Sequence, residues 1–228
     1  MLRSDTPTEL DEARIEAYLP KCPPRDSLLI VLGFNTGLRI SELLSLKVGD
    51  VSLGGVPRSV LRVPRRNLKG GRGVHANAVR SRSIPINQPA NEAIGVALAA
   101  RHNALDSEPL FRSRKGGRSL TRRQACRIIR DTFRAAGLDP SRVWSAHSLR
   151  RRYARRIFDT TGNIEVVRNA LSHRWVTTTQ AYVGLGEEDA AAAIVALGVR
   201  STRHCVSPES DTAENLMVAS PAALRTAE

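Results

Sequence analysis

Arginine, histidine and tyrosine side chains whose types could do chemistry stand close together in several parts of this sequence. They fall in three segments: Arg39 with Glu42, His147 with Arg150, and His173 with Tyr182 nine residues later. Guanidinium forks match phosphate oxygens, imidazole exchanges protons near neutral pH, and an activated phenol is a nucleophile. Each segment alone also fits an ordinary reading: a buried ion pair, a core histidine, or a packing tyrosine.

The helix predicted at residues 148–160 carries an unusual arginine. Its apolar face is formed by Leu149, Tyr153, Ala154, Ile157 and Phe158. Arg150 lies in the middle of that face, where a charge is costly unless it is paired. It therefore needs an anionic partner, which is either a carboxylate of this protein or a ligand phosphate. Its place in the first helical turn, where backbone amides are free, favours a bound anion.

Local patterns predict the elements that position these residues, and they are mainly helical. Predicted helices cover residues 8–18, about 26–37 with Asp26 and Ser27 as caps, 41–46, 89–103, 121–136, 148–160, 164–171, 177–182 and 187–197. Predicted strands cover residues 48–53, 60–64 and 81–86, with a long basic connection at 65–80. The fold class is α+β, mainly α, with a small three-stranded antiparallel sheet.

Charge favours a nucleic acid as the partner. The chain has 228 residues and a formal net charge of +13, and residues 112–156 hold fifteen Lys and Arg against two acids. An anionic membrane surface is the main rival, but the longest apolar stretch, 28–34, is too short to span a bilayer. Three cysteines without a pairing framework indicate a reduced cytoplasm, and the five histidines lack zinc spacing, so we expect no metal.

Taken together, the motifs resemble those of the tyrosine recombinases, the phage integrase family. The family's catalytic domain carries T-G-x-R-x-x-E-L, a Lys in a β-turn, H-x-x-R, L-x-H, and Tyr nine residues after that His. The resemblance covers about residues 8–198 and implies a catalytic domain at 8–200, with a disordered tail expected at 201–228. Only 38 residues precede Arg39, so we expect no separate core-binding domain, and a minimal enzyme, a fragment, or dependence on a partner stays open.

The resemblance also implies site roles. Tyr182 would attack a DNA phosphate and form a 3′-phosphotyrosyl link, without a cofactor or metal. Arg39 and Arg150 would stabilise the transition state, His147 would accept the phenol proton, and His173 would donate to the phosphate. Glu42 would orient His147 or Arg39. Lys69 would protonate the leaving oxygen, with Lys47 and Lys115 as rivals.

The resemblance implies double-stranded DNA as the partner of the basic surface. The expected DNA-binding residues are Arg122, Arg123, Arg151, Arg152 and Arg155. Family members assemble as tetramers on DNA, and helix 187–197 packs either on a neighbouring subunit or in cis. An accessory DNA-binding protein stays open. Two other functions compete with site-specific recombination: type IB topoisomerase activity, and DNA binding by a regulator without strand exchange.

Overall fold

A computed structural model describes residues 4–68, 81–101, 103–114, 116–173 and 176–183, which all belong to one packed unit. Lys69, Lys115, the helix predicted at 187–197 and the tail predicted at 201–228 lie outside the described residues. Within those ranges, no helix is both long enough and apolar enough to cross a membrane.

Helices dominate the described residues. They are α1 Glu9–Tyr18, α2 Pro24–Thr36, α3 Ile40–Leu43, α4 Val48–Val51, α5 Gln88–Ala99, α6 Arg122–Ala135, α7 Ala146–Thr161, α8 Ile164–Leu171 and α9 Val176–Val183. The strands are β1 Ser52–Leu53, β2 Val56–Pro57, β3 Val60–Val63 and β4 Arg82–Pro85. The predicted fold class, mainly helical with a small antiparallel sheet component, is confirmed.

The strand prediction is wrong in two respects, the number of sheets and the first strand. The described residues form two two-stranded antiparallel ladders, β1–β2 and β3–β4, instead of one three-stranded sheet. Residues 48–51, predicted as strand, form the short helix α4, where the Asp50 carboxylate accepts from the Lys47 amide at 2.9 Å. Val48 and Val51 are both buried, and a spacing of three suits one side of a helical turn.

A central helix organises the core. Helix α2 packs against both α5 and α7, and Gly33 lets the Leu149 side chain of α7 approach its backbone closely. The first core cluster is mostly aliphatic, with Phe34 stacked on Phe133 at a centroid distance of 6.3 Å. A second, smaller cluster joins α7, α8 and α9 and contains Ala154, Val167, Leu171 and Val183. This second cluster fixes the position of α9.

One arginine predicted to face DNA is buried instead. Arg152 is 6% exposed, and its Nε lies 2.6 Å from the Glu12 carboxylate of α1. Arg156 holds the other oxygen of the same carboxylate at 3.0 Å. The prediction that Arg152 contacts DNA is therefore wrong, because Arg152 is buried against Glu12 of α1. The ion pairs of Arg152 and Arg156 with Glu12 hold α1 against α7.

Candidate active site

Five of the six predicted reactive residues line one cleft of about 790 Å³. They are Arg39, His147, Arg150, His173 and Tyr182. The residue before α3, helix α7, the turn after α8 and helix α9 supply them. The sixth, Lys69, lies outside the described residues, while its neighbour Leu68 lines the cleft. Segments far apart in the chain thus converge on one concave surface.

Arg39 is held by Glu42, one turn away. The buried Glu42 carboxylate accepts from the Arg39 backbone amide at 2.8 Å and from its guanidinium at 3.0 Å. Of the two partners predicted for Glu42, the geometry selects Arg39. Arg39 itself is partly exposed, so its guanidinium is oriented by Glu42 and still faces the cleft.

Arg150 is a buried cation bound to neutral groups. It is 1% exposed, and its guanidinium donates to the Gly37 carbonyl, to the Leu171 carbonyl at 2.8 Å, and to His173 Nε2 at 2.8 Å. Its Nε is buried and has no partner among the described residues. Burial, followed by the nearby Arg39 charge, lowers the pKa of Arg150 to about 10.

The structure distinguishes between the two kinds of partner predicted for Arg150. Within the described residues, Arg150 forms no salt bridge with a carboxylate, so an internal ion pair does not neutralise it there. Three bonds use three of the five donors of its guanidinium. Helix α7 begins at Ala146, so Arg150 lies beyond the first turn, and the predicted support from free amides is wrong. A buried, uncompensated cation remains, which favours an anionic ligand.

His173 has a defined protonation state. A guanidinium only donates, so the Nε2 atom that contacts Arg150 must be the unprotonated acceptor. Nδ1 therefore carries the proton and donates to the Thr179 hydroxyl at 3.1 Å. Burial, then the charges of Arg150, Arg39 and Arg82, lower the pKa of His173 to about 4, which keeps the ring neutral. Both nitrogens are occupied, so the predicted donation from His173 to a phosphate is not available in this geometry.

His147 and Tyr182 are in direct hydrogen-bond contact. The Tyr182 hydroxyl lies 2.9 Å from His147 Nδ1. Burial, followed by the charges of Arg150, Arg151 and Arg39, lowers the pKa of His147, so the imidazole is neutral at pH 7 and can accept a proton. The Cζ atoms of Arg150 and Arg151 lie 5.6 Å and 5.5 Å from the Tyr182 ring centroid. Two cations therefore stand beside the phenol, where they favour developing negative charge.

A sequence model of the phage integrase family matches residues 8–188. The chain belongs to this family. Tyrosine recombinase XerD of Corynebacterium glutamicum is 34% identical over 161 residues, which cover 69% of this chain and 47% of that protein. Tyrosine recombinase XerA of Pyrococcus furiosus is 32% identical over 177 residues, 77% of this chain and 55% of that protein. The chain thus spans about half the length of these curated relatives.

Solved structures share the phage integrase fold of this chain. A crystal structure of XerA recombinase superposes with a TM-score of 0.67 at 23% identity, covering 87% of this chain and 67% of that one. The Tn1549 transposon integrase, solved in complex with a circular intermediate DNA, gives a TM-score of 0.64 at 19% identity, covering 86% and 67%. At these identities the comparison concerns the fold alone.

The remaining predicted DNA-binding arginines are spread over two helices. Arg122, the first residue of α6, lines the cleft, and Arg151 lies against the Tyr182 ring. Arg123 is exposed on α6, whereas Arg155 pairs with Asp159 on α7 at 2.8 Å. Only part of the predicted set therefore borders the cleft.

Sequence reasoning missed several residues of this family member's cleft. These are Ser41, Ser45, Arg66, Asn67 and Thr178, which line it, and Thr179, which contacts His173. A signal for Thr179 was present, because a residue three positions before Tyr182 on a helix lies on the same side. Within the described residues, no cluster of three or more potential metal ligands is found.

Proposed function

We propose that this chain holds, at residues 8–200, the catalytic domain of a tyrosine-type site-specific recombinase that cleaves and rejoins double-stranded DNA. The observation that carries the proposal is the Tyr182 hydroxyl, 2.9 Å from His147 Nδ1 in a cleft shared with Arg39 and Arg150. The relatives named tyrosine recombinases support it, as does the transposon integrase solved on DNA.

The proposed reaction is a transesterification. His147 accepts the phenol proton while the Tyr182 oxygen attacks the phosphorus, and the bond from phosphorus to the 5′ oxygen breaks. The products are a 3′-phosphotyrosyl link and a strand ending in a 5′ hydroxyl. Attack by a 5′ hydroxyl on that link reverses the step and rejoins DNA. Because one phosphoester replaces another, the bond energy is conserved and the balance needs no cofactor.

The leaving 5′ oxygen must gain a proton, and we assign this donation to Lys69. Its neighbour Leu68 lines the cleft, which supports the assignment over Lys47, an exposed residue at the start of α4. A sulfur atom in place of the 5′ oxygen leaves without protonation. Lys69→Ala should therefore cleave ordinary DNA slowly and the sulfur-substituted DNA at nearly the wild-type rate, whereas Lys47→Ala should behave as wild type on both.

Charge on the transition state is the main barrier that the remaining residues lower. Arg39, oriented by Glu42, and Arg150, fixed by two carbonyls and His173, would face the non-bridging oxygens. Removing one preorganised donor typically reduces the rate by on the order of 10²–10³. Arg39→Ala and Arg150→Ala should each reduce the cleavage rate by a factor in this range.

We further propose the partners that this function requires. Arg122, Arg123, Arg151 and Arg155 would contact the phosphate backbone, so binding should weaken steeply with salt. Strand exchange between two duplexes needs a nucleophile for each strand, which a homotetramer on DNA supplies, with an accessory DNA-binding protein as a further candidate partner. Activity on chromosomal or mobile DNA places the protein in the cytoplasm.

A covalent adduct tests the proposal directly. The protein is incubated with a nicked suicide substrate that carries the candidate site taken from the DNA flanking its gene, and the adduct is resolved on a denaturing gel. Wild type should form the adduct and Tyr182→Phe should bind DNA without forming it. Tyr18→Phe, on α1 and outside the cleft, is the matched control and should react as wild type.

Other outcomes point to the competing functions. Relaxation of any supercoiled plasmid without joining of defined sites would indicate topoisomerase activity. Salt-sensitive binding without an adduct would indicate a regulator. An adduct that survives in Tyr182→Phe would show that the nucleophile is another residue.

A further inference from the structure

Thr179 is a buried polar residue on the helix that carries the nucleophile, and the proposed reaction does not use it. It lies on α9, three residues before Tyr182, and is 0% exposed. Its hydroxyl oxygen lies 3.1 Å from His173 Nδ1. A buried hydroxyl at this place is the end of a chain of polar contacts that leads to Arg150.

The direction of that chain is determined by chemistry. The Arg150 guanidinium donates to His173 Nε2 at 2.8 Å, so the imidazole proton must be on Nδ1, where the Thr179 hydroxyl accepts it. His173 is 5% exposed, so an Nδ1 proton without this acceptor would stay unsatisfied in the interior. Thr179 therefore stabilises the one tautomer of His173 that can hold Arg150.

We propose that Thr179 is a positioning residue that, through His173, holds Arg150 in place beside Tyr182. The inference rests on the proposed recombinase function. Thr179 and Tyr182 share α9, so one helix supplies both the phenol that contacts His147 and the acceptor for His173.

Packing supports such coupling. Helix α9 contacts both α7, which carries Arg150, and α8, which precedes His173. Its buried Val183 joins Ala154 of α7 and Leu171 of α8 in the small second core cluster. The Leu171 carbonyl also accepts from Arg150 at 2.8 Å, so the same small cluster borders the guanidinium. The same cluster thus positions both the helix of Tyr182 and the guanidinium of Arg150.

Kinetics of the first cleavage step test the inference. Thr179→Val keeps the shape of the side chain and removes its hydroxyl, and should slow single-turnover adduct formation by about 10-fold with DNA affinity unchanged. Thr179→Ser restores the hydroxyl and should recover most of the rate. Thr177→Val, an exposed position on the same helix, is the matched control and should equal wild type. Equal rates for Thr179→Val and wild type would overturn the inference.

A double-mutant cycle separates positioning from a general structural effect. If Thr179 acts through His173, Thr179→Val should cause no further rate loss in a His173→Ala background. Full additivity of the two losses would overturn the inference, because it would show that Thr179 acts independently of the ring.

An activity-independent measurement distinguishes failure of this inference from failure of the proposed function. Nitrogen NMR of DNA-free protein should show His173 unprotonated at Nε2, with a slowly exchanging Nδ1 proton that exchanges faster in Thr179→Val. A proton on Nε2, or unchanged exchange in the variant, would overturn the inference. Absence of any adduct with wild type would instead count against the proposed function.

Discussion

Replacing Gly37 with alanine tests how the turn after α2 holds the site together. Gly37 ends α2 in the left-handed conformation, with φ of 58°. An added Cβ would lie 2.3 Å and 2.5 Å from two ring carbons of Tyr153 and 3.1 Å from Leu171 Cδ2. The Gly37 carbonyl accepts from Arg150, so any shift of this turn also moves a partner of the buried guanidinium.

The expected loss has two parts. Left-handed backbone costs a residue with a Cβ about 1–2 kcal/mol. Overpacking against the rigid Tyr153 ring adds about 1–3 kcal/mol, because the ring must be displaced. The free energy of unfolding should therefore fall by about 2–5 kcal/mol in Gly37→Ala.

Gly162 offers a matched control. It ends α7 with φ of 61°, nearly the same conformation, and an added Cβ there meets nothing within 4 Å. Gly162→Ala should lose only the backbone part, about 1–2 kcal/mol. The difference between the two variants isolates the steric contact.

Urea denaturation followed by circular dichroism measures both losses, and single-turnover cleavage measures the effect on Arg150. Gly37→Ala should cleave more slowly under conditions where it is fully folded, while Gly162→Ala should keep the wild-type rate. Equal stability losses in the two variants would refute the steric reasoning. An unchanged cleavage rate in folded Gly37→Ala would refute the link from this turn to Arg150.

Three further predictions follow from the protonation states and ion pairs. The cleavage rate should decrease on acidification with a midpoint below pH 6.5, because burial lowers the pKa of His147. Arg151→Gln should move this midpoint to higher pH, because the substitution removes a nearby cation. Cleavage rates at several pH values check both expectations, and an unmoved midpoint in the variant would contradict the electrostatic cause. The pKa of His173 is lowered from 6.5 to about 4, so between these values the unfolded chain binds one proton more. Stability should therefore fall by about 1.4 kcal/mol per pH unit on acidification, and urea titrations of His173→Asn should lack this part of the slope. Arg152→Ala should lower the free energy of unfolding by about 3 kcal/mol, since Glu12 loses its closest buried partner. The same variant should keep its DNA affinity in a fluorescence titration. A clear loss of affinity would show that Arg152 belongs to the DNA-binding residues.

Local signals predicted much of the helical framework. Helix α8 has the predicted bounds, and α6 lies within the predicted range 121–136, where Thr121 forms a capping box with Gln124. The burial of Arg150 was also expected from the apolar face of its helix, and it is 1% exposed. These features depend on residues within about one helical turn of each other, so neighbouring sequence is enough to specify them.

Local patterns failed where two structures share one pattern. Buried valines at positions 48 and 51 suit a strand or a helical turn, and the bond from the Lys47 amide to Asp50 accompanies the turn. Arg152 of α7 was expected to meet DNA, yet it is buried against Glu12, which lies 140 residues away in the chain. Such outcomes depend on packing partners that a local window does not contain.

The sequence by itself determined which residue types could act on a phosphate, since their order and the spacing from His173 to Tyr182 are visible in it. Only the tertiary structure decided how they are held. Arg150 bonds to carbonyls 113 and 21 residues away, and its contact with His173 Nε2 determines which nitrogen of that ring carries the proton. Side-chain spacing constrains neighbours along a helix, whereas bonds between distant segments form only when the packed core brings those segments together.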